Sequence, residues 1–371
     1  MKIGVLTYHY ANNYGAVLQA YALKNHLEKQ GHNVEILNYN TSKLYLKNRP
    51  LKSKIKTFMW NGLKKVLGGA KKEKAFVCFR KSKLEVEGEQ IKEHSALEHY
   101  VKKQDFDAFI VGSDQVWNTE INGKDKAYFL DFAGDKKRIS YAASFGVSDL
   151  PIEDLKTVKE AVSLFNAVSV REETGKEILK KSGFKGNIQV VLDPVFFLDE
   201  KQWSKIFSKR LIDRKYILCY VMPGDSILEN KIVSIANKIK EKTGFEIIFI
   251  GRKEYCRFKN DGKDIIGASP EDFLSLIKYA EVVVTNSFHG TAFSILFSKC
   301  FYALTNPNKT GNKQLGSRIN DLLEILNLKS HLVDIYCEKE YDITVDYTAS
   351  APVLEKCIKH SEKFLFDALN G

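Results

Sequence analysis

The strongest constraint on this chain is a repeated alternation of short β-branched runs with longer segments of helical period. KIGVLTY at 2–8 is followed by a stretch from Tyr14 to Gln30 whose apolar side carries Val17, Ala20, Tyr21, Leu23 and Leu27. VEILNY (34–39), FDAFIVG (106–112), RISYAASFG (138–146), AVSVR (167–171) and IQVVLDP (188–194) repeat the strand pattern, with helical patterns near 95–103 and 152–164. Runs of this kind joined by short connections predict a parallel sheet covered on both faces. The pattern then restarts with KYILCYVM (215–222), a helix over 227–242 and EIIFIG (246–251). At 371 residues and 44% apolar content, the chain can bury two ordinary cores. The expected fold class is therefore α/β, two Rossmann-like domains facing a cleft. The boundaries are drawn at 1–198 for the N-terminal domain and 199–351 for the C-terminal domain. Trp203 and Phe207 predict a helix within the connection 199–214, and a last helix over 352–371 is expected to pack back on the first domain.

The densest unit is EVVVTNSFHGTAFSILFSK, from Glu281 to Lys299. Val282–Val284 reads as a buried strand, Asn286 and Ser287 as caps, and Phe293, Leu296 and Phe297 as a helix beginning near Thr291. Upstream, Ser269-Pro270-Glu271-Asp272 is a strong helix start. A strand, a tight turn and a helix start point backbone N–H groups of Gly290 and Thr291 at an anion, and the turn carries the titratable His289. A lone histidine in such a turn serves equally well as a capping or packing residue.

Other strand ends could carry ligands. HYANNYGA offers Asn12, Asn13 and Tyr14 for sugar hydroxyls, and the Asn pair reads equally as turn and cap residues. GSDQVWN offers Asp114 as a general base, Gln115 as a polar contact and Trp117 as a stacking surface, or else a structural Asx turn with a packed Trp. Arg171, Arg252 and Arg318 each follow a strand or open a helix, and a guanidinium fork holds phosphate or carboxylate at two points. There is no GxGxxG after the first strand, no P-loop, no GxSxG and no HExxH, which argues against dehydrogenases, kinases, common hydrolases and zinc proteases. No clustered carboxylate or Cys-x-x-Cys pair predicts a metal.

Charge is concentrated. Fourteen Lys or Arg and one acid, Glu73, lie between Lys43 and Lys83, so this segment carries +13 of a total of +11 and the rest is about −2. Within it, Leu51, Ile55, Phe58, Met59, Leu63, Val66 and Leu67 share one helical face. A basic amphipathic helix of this kind suits an anionic membrane surface, or packs on its own domain. Nucleic-acid motifs are absent. The N-terminus enters a strand pattern directly and no segment reaches the ~20 apolar residues of a span, so a cytoplasmic protein is expected, peripheral at the inner face of the cell membrane.

In their order, LTYHYANNYGAVLQAYAL, FIVGSDQVWN, RISYAASFG, VSVREETG, VVLDPVFFL and TNSFHGTAFSILF make the chain resemble the polysaccharide pyruvyl transferase family over most of its length. The resemblance implies a GT-B-like fold. It also implies transfer of the enolpyruvyl moiety of phosphoenolpyruvate to two hydroxyls of one sugar in a cell-surface or lipid-linked glycan. A cyclic ketal forms and phosphate is released, with phosphoenolpyruvate as co-substrate and no cofactor. By the same resemblance His289 is the catalytic histidine and Arg171 a donor-holding arginine. The chain departs at Ser287, where members commonly carry Arg, so the missing cation has to come from Arg171, Arg252 or Arg318. A GT-B glycosyltransferase using a nucleotide sugar is the alternative, with Asp114 again as acceptor base.

Overall fold

The computed structural model describes residues 1–40, 69–250, 262–306, 317–336 and 340–371. Strands β1 (Lys2–Leu6), β2 (Asn33–Ile36), β3 (Ala108–Val111), β4 (Lys137–Ala143), β5 (Ala167–Val170) and β6 (Ile188–Val190) form one parallel sheet in the order β2-β1-β3-β4-β5-β6. Its helices are α1 (Tyr14–Lys29), α2 (Ala70–Ser82), α3 (His94–Lys102), α4 (Thr119–Asn122), α5 (Ile152–Val162) and α6 (Glu173–Lys181). α1 starts where the Asn13 side chain accepts from Ala16 N at 3.3 Å. It stops before Gly31, whose φ of +86° is a conformation only glycine adopts without strain.

After the short α7 (Glu200–Ser204), β7 (Tyr216–Tyr220), β8 (Glu246–Ile250), β9 (Lys263–Ile265), β10 (Val282–Thr285), β11 (Cys300–Leu304) and β12 (Leu332–Val333) build a second parallel sheet, ordered β12-β11-β10-β7-β8-β9. Its helices are α8 (Ser226–Thr243), α9 (Pro270–Lys278), α10 (Phe288–Leu296) and α11 (Ser317–Ile325). The chain is thus α/β with two Rossmann-like, GT-B-type sheets. The connection expected to be helical over 199–214 is helical only at α7, where Asp199 and Gln202 form a capping box and Trp203 is fully buried. In each sheet the strand order reverses once, between β1 and β3 and between β7 and β10. Crevices at such reversals are where parallel sheets bind ligands.

The two sheets meet through α1. Tyr14 stacks on Phe273 of α9, centroids 4.5 Å apart and planes 3° apart, and its hydroxyl donates to Ala268 O at 3.0 Å. This corrects Tyr14 as an acceptor-binding residue, because its ring is buried in the seam between the sheets. The last helix, α12 (Ala351–Asn370), lies against the first sheet: Ser361 Oγ accepts from Leu192 N at 2.9 Å and Lys137 Nζ donates to Leu369 O at 2.9 Å. Of the basic segment, residues 43–68, including the amphipathic stretch Leu51–Leu67, lie outside the described residues. Its C-terminal part is α2, which buries Phe76 and Phe79 completely and so packs on the protein.

Just past β1, His9 is fully enclosed, with Nδ1 3.1 Å from Thr7 O. Burial pushes its pKa down to about 4. Since the folded value lies below the ordinary one, the contribution to stability is complete above about pH 6.5 and drains as pH falls toward 4, by up to about 3 kcal/mol. Urea unfolding of wild type and His9→Gln at pH 7 and pH 4.5 should show the variant losing less of its stability on acidification. Equal losses would place the acid sensitivity elsewhere.

Candidate active site

The C-terminal ends of the first sheet's strands bring Ser113, Asp114, Arg171, Glu172 and Asp193 together beneath the starts of α10 and α11 from the second sheet. Asp193 is at the centre, with its side chain completely buried. Its Oδ1 accepts from Val195 N at 3.1 Å, and its Oδ2 accepts from Ser113 Oγ at 2.8 Å and from Arg171 Nη1 at 2.8 Å. His289 Nε2 stands 3.4 Å from the same Oδ2, an ion-pair distance rather than a close hydrogen bond. Burial alone would raise the Asp193 carboxyl, but His289 and Arg171 more than offset it and hold the group well below the ordinary carboxylate range.

His289 is the second residue of α10, which begins earlier than the apolar spacing predicts. Ser287 is the reason: its side chain accepts from Gly290 N at 3.3 Å and caps the helix there. That corrects three donor-binding expectations. The Gly290 N–H is spent on Ser287, and Thr291 donates both its N–H and its hydroxyl to Ser287 O at 3.0 Å. Ser287 itself is a buried cap. Gly290 is glycine for packing, since a Cβ there would meet Thr285 Oγ1 at 2.7 Å. Asn286 joins the two strand ends at the second crevice, accepting from Met222 N at 2.7 Å and donating to Met222 O at 2.8 Å.

Two arginines face the same space. The Arg171 side chain is 1% exposed, and its guanidinium lies over the Phe288 ring at 4.3 Å. Arg318, in the first turn of α11, meets the Gln115 amide oxygen at 3.1 Å from Nη1 and 3.0 Å from Nη2, with the amide oriented to suit. Burial, and then Arg171, push the Arg318 pKa down to about 10. For Arg171, burial is outweighed by Asp193, Glu172 and Asp114, so its pKa rises. Nη2 of Arg171 and Nε of Arg318 are buried with no hydrogen-bond partner among the described residues, whereas Nε of Arg171 faces Glu172 Oε2 at 3.6 Å and Nε2 of His289 faces Asp193. Buried donors left unmatched are costly, so two of them on neighbouring guanidinium groups fit an anionic ligand that supplies the acceptors.

Asp114 lies close enough to act on both arginines, and it has φ +84°, a strained value for a non-glycine residue. Glu172 is buried, accepts from Ser144 Oγ at 2.6 Å, and burial raises its pKa. The remaining acceptor-side expectations are corrected. Trp117 is fully buried, donates from Nε1 to Tyr128 O at 3.0 Å and stacks on Phe129, so it has no open face for a sugar. Asn13 is the α1 cap. Asn12 is exposed and accepts from Arg80 Nη1 at 3.2 Å, and Arg80 also holds Tyr10 O, so this loop is clasped by α2. Arg252 lies outside the described residues. Sequence reasoning had no role for Asp193, while Glu172 stands with Oε2 3.6 Å from Arg171 Nε, an ion-pair distance. Asp193 had one signal, an Asp-Pro pair closing a strand, and that pair reads equally as an ordinary turn.

A sequence profile described as polysaccharide pyruvyl transferase matches residues 13–308, most of the chain and every element named above from Asn13 to β11. The chain belongs to the polysaccharide pyruvyl transferase family. It is therefore a transferase of polysaccharide pyruvylation. No curated protein gives a significant sequence match. Among solved structures, the UDP-GlcNAc 2-epimerase of Methanocaldococcus jannaschii, in complex with UDP-GlcNAc and UDP, is similar at 14% identity and a TM-score of 0.50, covering 100% of both chains. The UDP-N-acetylglucosamine 2-epimerase of Rickettsia bellii is similar at 11% identity and a TM-score of 0.51, covering 100% of this chain and 97% of that one. At these identities the likeness speaks for the fold alone. Among the described residues of this pyruvyl transferase family member, no helix is long and apolar enough to cross a membrane.

One glycine sets the geometry of the site. A Cβ on Gly15 would lie 1.9 Å from His289 Nδ1 and 2.3 Å from its Cγ, so the imidazole rests directly on the α1 backbone. Gly15→Ala suits the helix but must push the ring aside. We expect a folded variant of unchanged melting cooperativity whose turnover falls by about 100-fold, the scale of an ångström misplacement in a catalytic group. Wild-type turnover in that variant would show that the contact does not matter.

Proposed function

We propose that this protein transfers the enolpyruvyl moiety of phosphoenolpyruvate to two hydroxyls of one sugar in a lipid-linked or cell-surface glycan, forming a cyclic ketal and releasing phosphate. What supports the reading, beyond family membership, is the pair of unmatched buried donors on Arg171 and Arg318, with His289 beside them. Phosphoenolpyruvate carries a phosphate and a carboxylate, and two forked cations beside a histidine match that pair of anions. Ser287 takes no part in binding the donor, and Arg318, held by Gln115, supplies the cation missing at that position.

In the mechanism, the arginines neutralise the donor and His289 gives a proton to the methylene carbon, leaving C2 electron-poor. A sugar hydroxyl adds at C2 while Asp114 takes its proton. The C2–O bond to phosphate breaks, and the second hydroxyl adds at the same carbon, its proton leaving with phosphate. The acceptor enters from the side of the first sheet. Segment 43–83 holds the enzyme against an anionic membrane, where a lipid-linked acceptor would be found.

Calorimetry with phosphoenolpyruvate and with a panel of nucleotide sugars tests the donor, and phosphate release with glycan acceptors tests the reaction. We expect phosphoenolpyruvate alone to bind. His289→Ala should abolish phosphate release while retaining that binding, and Arg318→Ala should weaken binding by about tenfold to a hundredfold, the worth of a lost charge-assisted hydrogen bond. Selective binding of a nucleotide sugar would overturn the reading in favour of glycosyl transfer.

A further inference from the structure

The proton geometry of His289 is set by two contacts on different faces of the imidazole. The first is Gly15, from the first sheet's leading helix. Its absent Cβ would stand 1.9 Å from Nδ1, 2.3 Å from Cγ and 2.4 Å from Cε1. Nearly equal distances to an atom and its two ring neighbours mean that the ring lies flat over the Gly15 Cα. The Nδ1 lone pair, which lies in the ring plane, is therefore directed past Gly15 and not into it. The second contact is Asp193, 3.4 Å from Nε2 at the opposite edge of the ring. Asp193 is itself immobilised, because Val195 N, Ser113 Oγ and Arg171 Nη1 bond its two oxygens and leave it no freedom to turn away.

We propose that Asp193 is the positioning residue for His289: it keeps a proton on Nε2 and leaves Nδ1 as the nitrogen that exchanges a proton with the substrate. This rests on His289 being the acid of the reaction proposed above. The chemistry is self-consistent. The imidazolium carries protons on both nitrogens. When the Nδ1 proton passes to the methylene carbon of the donor, the N–H bond at Nδ1 breaks, its electron pair stays on nitrogen, and a C–H bond forms. The neutral ring left behind is the Nε2–H tautomer, the one a carboxylate at Nε2 stabilises. Proton donation from Nε2 instead would leave a lone pair facing a buried carboxylate, with repulsion on both sides.

The same oxygen of Asp193 serves Arg171, so donor and acid are adjusted against one reference point. An anion that engages Nη2 of Arg171 leaves its Nη1 on Asp193 and its Nε beside Glu172, and the carboxylate stays in register with His289.

The test is nitrogen NMR of protein labelled with 15N-histidine, with no donor present, assigned by loss of the signal in His289→Ala. In wild type above the titration of the ring, we expect the Nε2–H tautomer; finding Nδ1–H overturns the proposal without any variant. Asp193→Asn keeps the shape and removes the charge. In that variant we expect the tautomer to shift toward Nδ1–H or a mixture, and turnover to fall by at least about 100-fold. A folded variant whose tautomer is unchanged overturns the assignment. Because the tautomer is read in the free protein, it decides the role of Asp193 even if wild type proves inactive with phosphoenolpyruvate, an outcome that would count against the donor alone.

Discussion

A single carboxylate oxygen joins the chemistry to the architecture. Oδ2 of Asp193 receives Ser113 from the end of β3, Arg171 from the end of β5 and His289 from the other sheet. Each of these groups is almost wholly removed from water, and charges in that position survive only when they are matched. Taking one member from such a buried set costs about 3–5 kcal/mol, because the partner left behind stays buried and uncompensated. The loops after three strands and the start of a helix from the second sheet are therefore held in register by the same interaction that places the candidate acid.

That register depends on how closely the two sheets approach. Gly15 lets the imidazole lie on the α1 backbone, and one residue away Tyr14 stacks on Phe273 and bonds Ala268 O. Aromatic stacking of this kind adds about 0.5–1.5 kcal/mol beyond the area it buries. α12 reinforces the arrangement from outside the seam, bonding Leu192 two residues after β6 ends. α2 adds a clasp over the same helix: Arg80 holds the 10–12 loop, and Lys72 lies over the Tyr14 ring at 5.0 Å.

Much of this was legible in the chain, residue by residue. The run from Val282 to Phe297 announced a strand, a capped turn and a helix, and His289 stood out as the titratable group in that turn, though capping or packing would have explained it equally well. Arg171 and Arg318 were visible for a similar reason, each a forked cation at an element boundary. The errors also have physical causes. Ser287 is the cap its sequence suggested, but its bonds consume the N–H groups of Gly290 and Thr291 assigned to an anion. Trp117 looked like a sugar platform because it follows a polar turn, but the chain doubles back through Tyr128 and Phe129 and encloses it.

The order of strands and helices and the two-sheet class followed from the sequence by itself, since periodicity, caps and β-branched runs are local properties with local physics. The role of Asp193 did not, because a carboxylate after a strand acquires meaning only from what else is buried beside it. Residues 113, 171, 193, 289 and 318 are far apart along the chain and meet only when two separate sheets close on α1. Only the tertiary structure could decide which donors would be left without partners, because burial and hydrogen-bond satisfaction are properties of the packed whole.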